Sequence, residues 1–354
     1  MFVDRTNFFT SGAGNLPRQP FLVWGAGAIG GTVAAYLRRA GIELKVVDIN
    51  GEHVEAMRQS GLTIEGPVGE FSQPLEAATP DELTGTYECI LLAVKAQHTE
   101  DVLHRALCHL SPGGVIISLQ NGLSERVIAS HAGEAATIGA LVNFAADYLA
   151  PGRIMYGSRG AFVLGEITLA LSPRVEYLAR IFSVFEPEAR ATDDIWSYKW
   201  SKLAYGSLLF ATALSNNTIS DTLSDARYRH LLRRLAGEVI LVARTLGVEP
   251  RGFDGFEPQF FLESASDAQL IASLSDIANH YRKSGKQRSG VWRDMAIRRR
   301  KTEVEAQLGD VIRLADEHGV DVRCNRKLVK LICEIEDGKR ELQHSNLDEL
   351  LAST

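Results

Sequence analysis

No stretch of this 354-residue chain approaches the roughly 18 consecutive apolar residues that a membrane span requires. The opening segment, MFVDRTNFFTSGAGNLPRQP, has no apolar core of the signal-peptide kind and no arginine-rich amphipathic pattern. It reads as a polar, flexible leader over 1–19. Cysteine is scarce, and Cys89, Cys108, Cys324 and Cys333 form no CxxC pair and no zinc spacing. That argues against a disulfide scaffold or a zinc module and suits reduced thiols in a cytoplasm, with Cys89 and Cys333 in apolar, core-like surroundings. Nor is there an excess of positive charge. With 38 basic against 44 acidic residues the net charge is −6, which argues against nucleic acid or an anionic membrane as partner. An anionic substrate would have to be drawn by local basic groups. His53, His98, His230 and His318 are not spaced with carboxylates or cysteines as a metal site demands. Internal repeats and low-complexity segments are absent too. What remains is an ordinary globular balance, 45% apolar and 23% charged, in a chain long enough for two domains.

The strongest local signal lies in residues 20–50. FLVW is a short apolar strand, GAGAIGG a glycine turn, TVAAYLRRA a helix stopped by Gly41, and ELKVVDIN a second strand. Together they form a βαβ unit with G-x-G-x-x-G at Gly25, Gly27 and Gly30, so the cofactor candidates are Gly25, Gly27, Ala28, Ile29 and Gly30. Gly25 permits the tight turn, Gly27 lets the backbone approach a pyrophosphate, and Gly30 lets helix and strand pack closely. The amides at the helix start then face the phosphates. Asp48 closes the second strand. Its carboxylate can accept hydrogen bonds from both ribose hydroxyls and repels a 2′-phosphate, which argues for NAD, with NADP as the alternative.

Two further apolar strands end on polar residues: ECILLAVKA (88–96) at Lys95 and GGVIISLQNG (113–122) at Asn121. Ligands of an open parallel sheet bind beyond the carboxyl ends of its strands, which places Lys95 and Asn121 at the site. The bland alternatives are a surface lysine opening a helix and an Asn-Gly turn. Residues 137–167 alternate glycine and proline turns with β-favouring runs and predict extra, antiparallel strands. From residue 195 the pattern turns helical, with Asp193 or Asp194 as the cap. Amphipathic helices follow over 227–247 and 302–319, stopped by Gly247 and Gly319. The fold class is therefore an α/β Rossmann-type dinucleotide-binding domain over 20–194, then an all-helical domain over 195–336 and a polar tail over 337–354. The active site belongs in the cleft between the domains.

The helix opening at 195 raises a question, because Lys202 leads into twelve uncharged residues, 203–214. A helix of this composition is buried. Its ammonium either snorkels from the first turns, as Lys199 is expected to do, or faces something that needs it. A carbonyl receiving a hydride is such a partner: negative charge builds on its oxygen, and an ammonium in reach stabilises it and supplies the proton. Partial burial would lower the lysine's pKa toward the useful range.

GxGAxG near the start, VKA and QNG after later strands, WSKLA, GEVILVA…G and KTEVEAQLGDVI…HGV occur in that order over residues 20–335. This set resembles the ketopantoate reductases (2-dehydropantoate 2-reductases) of the 6-phosphogluconate dehydrogenase-like group. The resemblance implies a cytoplasmic homodimer that transfers hydride between NAD(P)H and a 2-oxo acid/2-hydroxy acid pair. By motif it implies Lys202 as the catalytic lysine, Glu303 as the substrate-site glutamate, Asn121 beside the nicotinamide and Lys95 at the cofactor–substrate cleft. The bland alternative for Glu303 is an ion pair with Arg299 at i,i+4. Some positions depart from the family pattern. Asparagines are common four and eight residues after the family's lysine, where this chain has Gly206 and Phe210. If these two share a stripe with Lys202, the wall is apolar and a bulkier or more apolar 2-oxo acid than ketopantoate follows. If Asn216, Asn217 or Ser289 replaces the missing amides, ketopantoate stays. The serine before the glutamate is displaced, with Ser289 one place early and Gly290 in register. Asp48 stands where NADP-using members tend to have a basic residue. Arg298–Lys301 reads as a solvated helix face, with an arginine meeting the substrate carboxylate as the minority reading. The competing functions are an imine-reducing N-(carboxyalkyl) amino acid dehydrogenase and a non-catalytic NAD-binding sensor; Lys202 and Glu303 speak against the sensor.

Overall fold

The computed structural model describes residues 16–283 and 287–354. The leader expected over 1–19 lies outside the described residues up to position 15. Residues 16–19 lie against the first domain, where Arg18 pairs with Glu88 at 2.6 Å and Gln19 accepts from the Glu43 amide.

The strands are β1 (Phe21–Trp24), β2 (Leu44–Val47), β3 (Leu62–Glu65), β4 (Phe71–Gln73), β5 (Glu76–Ala78) and β6 (Tyr87–Leu92). After them come β7 (Leu110–Ser118), β8 (Thr137–Val142), β9 (Ala145–Ala150), β10 (Arg153–Ser158), β11 (Phe162–Glu166) and β12 (Arg190–Thr192). The first half of the chain also holds helices α1 (Ala28–Arg39), α2 (Gly51–Ser60), α3 (Thr99–Ala106), α4 (Ser124–Ala132) and α5 (Pro173–Phe182). The main sheet has eight strands in the order β12-β11-β8-β7-β6-β1-β2-β5, and all pairings from β5 to β8 are parallel. FLVW and CILL are buried throughout, as strands covered on both faces must be. Of the strands expected over 137–167, β8 extends the parallel sheet and β11 runs antiparallel to it, while β9 and β10 pair antiparallel in a second sheet. Local periodicity does not distinguish these partners; only the long-range pairing does.

The parallel order has a functional consequence. The carboxyl ends of β2, β1, β6, β7 and β8 lie side by side, and Asp48, Gly25, Lys95, Asn121 and Asn143 follow those ends in the same order. They make one row along the sheet edge, four strand spacings or about 19 Å long.

The second half contains α6 (Ile195–Thr212), α7 (Ile219–Ser224), α8 (Arg229–Thr245), α9 (Asp267–Lys283) and α10 (Gly290–Ala296). A π-helical turn at Glu305–Gly309 then leads into α11 (Asp310–His318), α12 (Arg323–Glu336) and α13 (Ser345–Leu351). Asp194 is the cap of α6, its carboxylate accepting from the Ser197 amide at 3.1 Å. Along α6 only Trp196, Lys202, Gly206 and Leu209 are partly exposed. The other faces meet α8, β8 and β11. Residues 337–354 are not merely a polar tail, because α13 buries Leu347 and Leu350 completely. An apolar pair at i,i+3 in one short helix is too small a signal to read from sequence.

Lys199 does not snorkel. Its side chain is 2% exposed and pairs at 2.7 Å with the fully buried Glu125 of α4, and its Nζ donates to the Gln120 carbonyl at 2.7 Å. The face of α6 that carries it lies against the sheet, so the stem has no route to water and the charge is met inside. Deleting one member of a buried ion pair costs about 3–5 kcal/mol, whereas replacing both by apolar groups is often neutral. Glu125→Leu alone is therefore expected to lower the stability measured by urea unfolding by about 3 kcal/mol, and Lys199→Met/Glu125→Leu to recover most of it. A single variant within about 1 kcal/mol of wild type would contradict a buried charge pair.

Candidate active site

The row begins at the glycine turn. Gly25 has φ +96°, and a Cβ there would sit 2.9 Å from the Ala93–Val94 backbone. A Cβ on Gly30 would fall 2.0 Å from the Gly25 oxygen and 2.8 Å from the Ala93 side chain, so close packing of α1 on β1 and β6 requires glycine. Gly27 differs, since nothing lies within 4 Å of its would-be Cβ. No neighbour in the fold demands glycine there, and the space in front of it is open. Gly27, Ala28 and Ile29 are the partly exposed residues of the turn. Gly27 caps α1 without a side-chain hydrogen bond, and the first turn of α1 holds no acidic residue. The helix start therefore suits an anion.

Asp48 is pinned to this turn, accepting from the Ala26 amide at 2.8 Å and from the Asn50 amide at 2.9 Å. Each oxygen keeps a second lone pair for a hydroxyl. His53, buried, accepts at Nδ1 from the Gly152 amide, which leaves Nε2 to donate to the Ala26 carbonyl at 2.8 Å. The imidazole thereby ties the turn to the second sheet. An uncovered glycine cradle beside a fixed carboxylate fits a dinucleotide's pyrophosphate and ribose diol.

Further along the row the two halves of the chain meet. Lys95 pairs with Glu303 at 2.7 Å, and the other Glu303 oxygen accepts from the Ala96 amide at 2.9 Å. Asp294 on α10 lies 3.4 Å from the same ammonium and also binds Arg298 and Arg300. Burial works against charge on Lys95, but Glu303 and Asp294 outweigh it and hold the ammonium above the ordinary lysine value. Burial likewise opposes charge on Asp294, yet Lys95, Arg298 and Arg300 keep its carboxyl below the ordinary aspartate value. Asn121 is followed by Gly122 at φ +78°, packed against Ala306 and Gln307. At the far end Lys202 is hydrogen-bonded to the Asn143 side-chain oxygen, and its ammonium lies 5.2 Å from the Tyr205 ring centre and 5.9 Å from that of Phe253. The Asn143 amide nitrogen in turn donates to Asp254 at 2.6 Å. Asp254 also accepts from the Ala161 amide, and its φ of +46° marks a bent loop held for this purpose.

Some expectations need correction. Phe210 is 2% exposed and belongs to the helical core. The eighth residue along a helix is rotated by roughly 80° from the first, whereas the seventh is only about 20° off. The partly exposed stripe therefore runs Lys202, Gly206, Leu209. Ser289 is 5% exposed and serves as the N-cap of α10, accepting from the Trp292 amide at 3.2 Å. Asn216 holds Leu342 and Trp292, and Asn217 meets His344, so neither replaces an amide on α6. Arg298–Lys301 is irregular backbone after α10, not a helix face, with Arg299 at φ +49°. Arg298 and Arg300 pair with Asp294 and Lys301 with Asp337 and Glu336, while Arg299 is exposed, and Glu303 pairs with Lys95 rather than Arg299. Sequence reasoning missed Asn143, Asp254, Asp294 and Gln307. Only Asn143, directly after the run TIGALV, carried a signal of strand-end position. Among the described residues no helix is long and apolar enough to cross a membrane, and no cluster of three or more His, Cys, Asp or Glu could hold a metal ion.

Two family models match the chain: Ketopantoate reductase PanE/ApbA over residues 21–168, and Ketopantoate reductase PanE/ApbA C terminal over residues 194–336. A 2-dehydropantoate 2-reductase of Mesorhizobium japonicum is 32% identical over 257 residues, covering 66% of this chain and 78% of its own. One from Archaeoglobus fulgidus is 25% identical over 322 residues, 90% of this chain and 99% of its own. Among solved structures, D-mandelate dehydrogenase with NADH and anilino(oxo)acetate shares the fold with TM-score 0.79 at 19% identity, over 90% of this chain and 99% of that one. Fold and relatives together define a nicotinamide-dependent oxidoreductase with a Rossmann domain and a helical domain. Within that class the chain belongs to the ketopantoate reductase family.

The Lys95–Asp294–Glu303 cluster has a definite pH signature. The Asp294 contribution is present above the unfolded aspartate value of about 3.9 and is lost as pH falls through its lower folded value. The Lys95 contribution is present below about 10.4 and is lost as pH rises through its higher folded value. Asp294→Asn is expected to cost about 3 kcal/mol at pH 7, because it strands positive charge beside a buried site. In denaturant unfolding the wild-type advantage should shrink on acidification below about pH 4. An advantage that stays constant to pH 3 would contradict this assignment.

Proposed function

We propose that the protein catalyses reduction of a 2-oxo acid to a 2-hydroxy acid, with Lys202 as general acid and NADH as the preferred reductant. The observation that carries this reading is the position of Lys202: its ammonium is held by Asn143 at the end of the row that begins with the glycine turn. The bound nicotinamide supplies the hydride. The residues of this chain do the rest. Gly27, Ala28 and Ile29 leave the helix start open for the pyrophosphate, and Asp48 accepts the ribose hydroxyls. Lys202 Nζ stabilises the negative charge that grows on the substrate's carbonyl oxygen and then donates a proton to it, giving the hydroxyl. Asn143 offers only an oxygen to Lys202, which fixes the direction of the ammonium without competing for its proton. Lys95 and Glu303 join the two halves across the cleft, and Glu303, held by an ammonium and an amide, is placed to accept from a substrate hydroxyl. In the reverse direction the same lysine, unprotonated, would take the proton.

Lys202→Ala should lower kcat by roughly two to four orders of magnitude, the range of a general acid. Equilibrium NADH binding should stay close to wild type in the same variant. Retention of more than a tenth of wild-type kcat would remove Lys202 from the chemistry. Cofactor preference is read separately as kcat/KM with NADH and NADPH on any accepted oxo acid. NADH should win, because Asp48 repels a phosphate; a tenfold preference for NADPH would overturn that assignment.

A further inference from the structure

We infer that Asp254, on a turn of the helical half, is a positioning residue for the proposed acid: it decides which end of the Asn143 side-chain amide faces Lys202. The inference rests on the oxo-acid reductase reading. Asn143 follows β8 and bonds two charged groups, Lys202 and Asp254. An ammonium can only donate and a carboxylate can only accept, so the two demand opposite ends of the amide. The Asn143 nitrogen donates to Asp254 at 2.6 Å, and the oxygen is thereby left for Lys202. Turned over, the same amide would set its nitrogen against the ammonium, donor to donor, and its oxygen against the carboxylate, acceptor to acceptor.

The carboxylate is itself held in place from two sides. Asp254 and Gly255 are the central residues of a tight turn closed by two hydrogen bonds, from the Phe253 amide to the Phe256 carbonyl at 3.1 Å and from the Phe256 amide to the Phe253 carbonyl at 2.8 Å. Their φ values, +46° and +81°, belong to the type I′ geometry that Asp-Gly favours. The flanking rings are buried and meet Tyr205, whose ring centre lies 5.4 Å from that of Phe253 and 5.7 Å from that of Phe256. Tyr205 stands on α6 one turn beyond Lys202, so the bend is fastened to the helix that carries the acid. On the other side, the Asp254 oxygen that takes the Asn143 nitrogen also accepts from the Ala161 amide at 2.8 Å. Asn143 in turn donates its backbone amide to the Ala161 carbonyl at 2.9 Å. A closed circuit therefore runs from Lys202 through Asn143, Asp254, Phe253 and Tyr205 back to α6. Asp254 is exposed, and substitutions at exposed positions usually change stability little, so an effect on turnover can be read apart from folding.

The test measures kcat and KM with ketopantoate, 2-oxoisovalerate and phenylpyruvate, and the NADH dissociation constant by fluorescence titration, in variants that keep the bend. Asp254→Gly accepts the positive φ and removes the carboxylate. It should lower kcat by about tenfold, with KM and NADH affinity within about threefold of wild type. Asp254→Asn also tolerates the bend and keeps an oxygen for both donors, so it should retain at least about a third of wild-type kcat. Because Asp254 acts through Asn143, adding Asp254→Gly to Asn143→Ala should change kcat by less than about twofold. A kcat within about threefold of wild type in Asp254→Gly, an equal loss in Asp254→Asn, or losses that multiply in the double variant would overturn the role of Asp254 and leave the reductase reading standing. If wild type reduces none of the three acids with NADH or NADPH, that reading falls, and the inference with it.

Discussion

The joint on which the site depends is the buried contact between Lys199 and Glu125. The ammonium of Lys199 meets the carboxylate of α4 and the carbonyl of Gln120 at the end of β7. One turn later on the same helix stands Lys202. The Gln120 carbonyl belongs to the residue before Asn121. A single charge-assisted contact therefore sets the helix that bears the proposed acid against the loop that bears Asn121. A buried ion pair adds little net stability over a well-packed apolar pair, but it is directional, and a slip of the helix would strand both charges. Because the pair holds the helix in place rather than merely adding contact area, Lys202 can sit at the mouth of a buried helix without losing its aim.

The second joint is electrostatic as well, but it is exposed to the cleft. Glu303 spans from the helical half to Lys95 and the Ala96 amide, and Asp294 stands behind it, balanced by Arg298 and Arg300. Here the cationic run that follows α10 is explained. Arg299 and Arg300 lie at the surface, and Arg298 and Arg300 also compensate a carboxylate that is 2% exposed. The same segment leads through Glu303 into the π-helical turn that carries Gln307.

Much of the first domain was legible because its determinants are local. The glycine turn, the buried strand runs and the acid that closes β2 lie within thirty residues, and each does a job visible in backbone geometry: a positive φ at Gly25, a close approach at Gly30, open space at Gly27. Lys95 and Asn121 could be placed for a related reason, since a parallel sheet presents its strand ends on one edge. The stripe on α6 was misjudged by one residue. Spacing by eight overshoots the helical period and delivers Phe210 to the core, whereas spacing by seven reaches Leu209.

By itself, the sequence determined where backbone freedom, burial and strand order must lie: the βαβ unit, the helical second half, and the presence of a lysine and a glutamate at motif positions. Tertiary structure alone decided which groups meet. Lys199 finds Glu125, Lys202 finds Asn143, Glu303 finds Lys95, and Gln307 fits between Gly122 and Gly206. Each of these partners lies more than fifty residues away along the chain. Local propensity carries no information about such pairs, because a charge or an amide shows no preference for its partner until packing has removed the water that would otherwise serve.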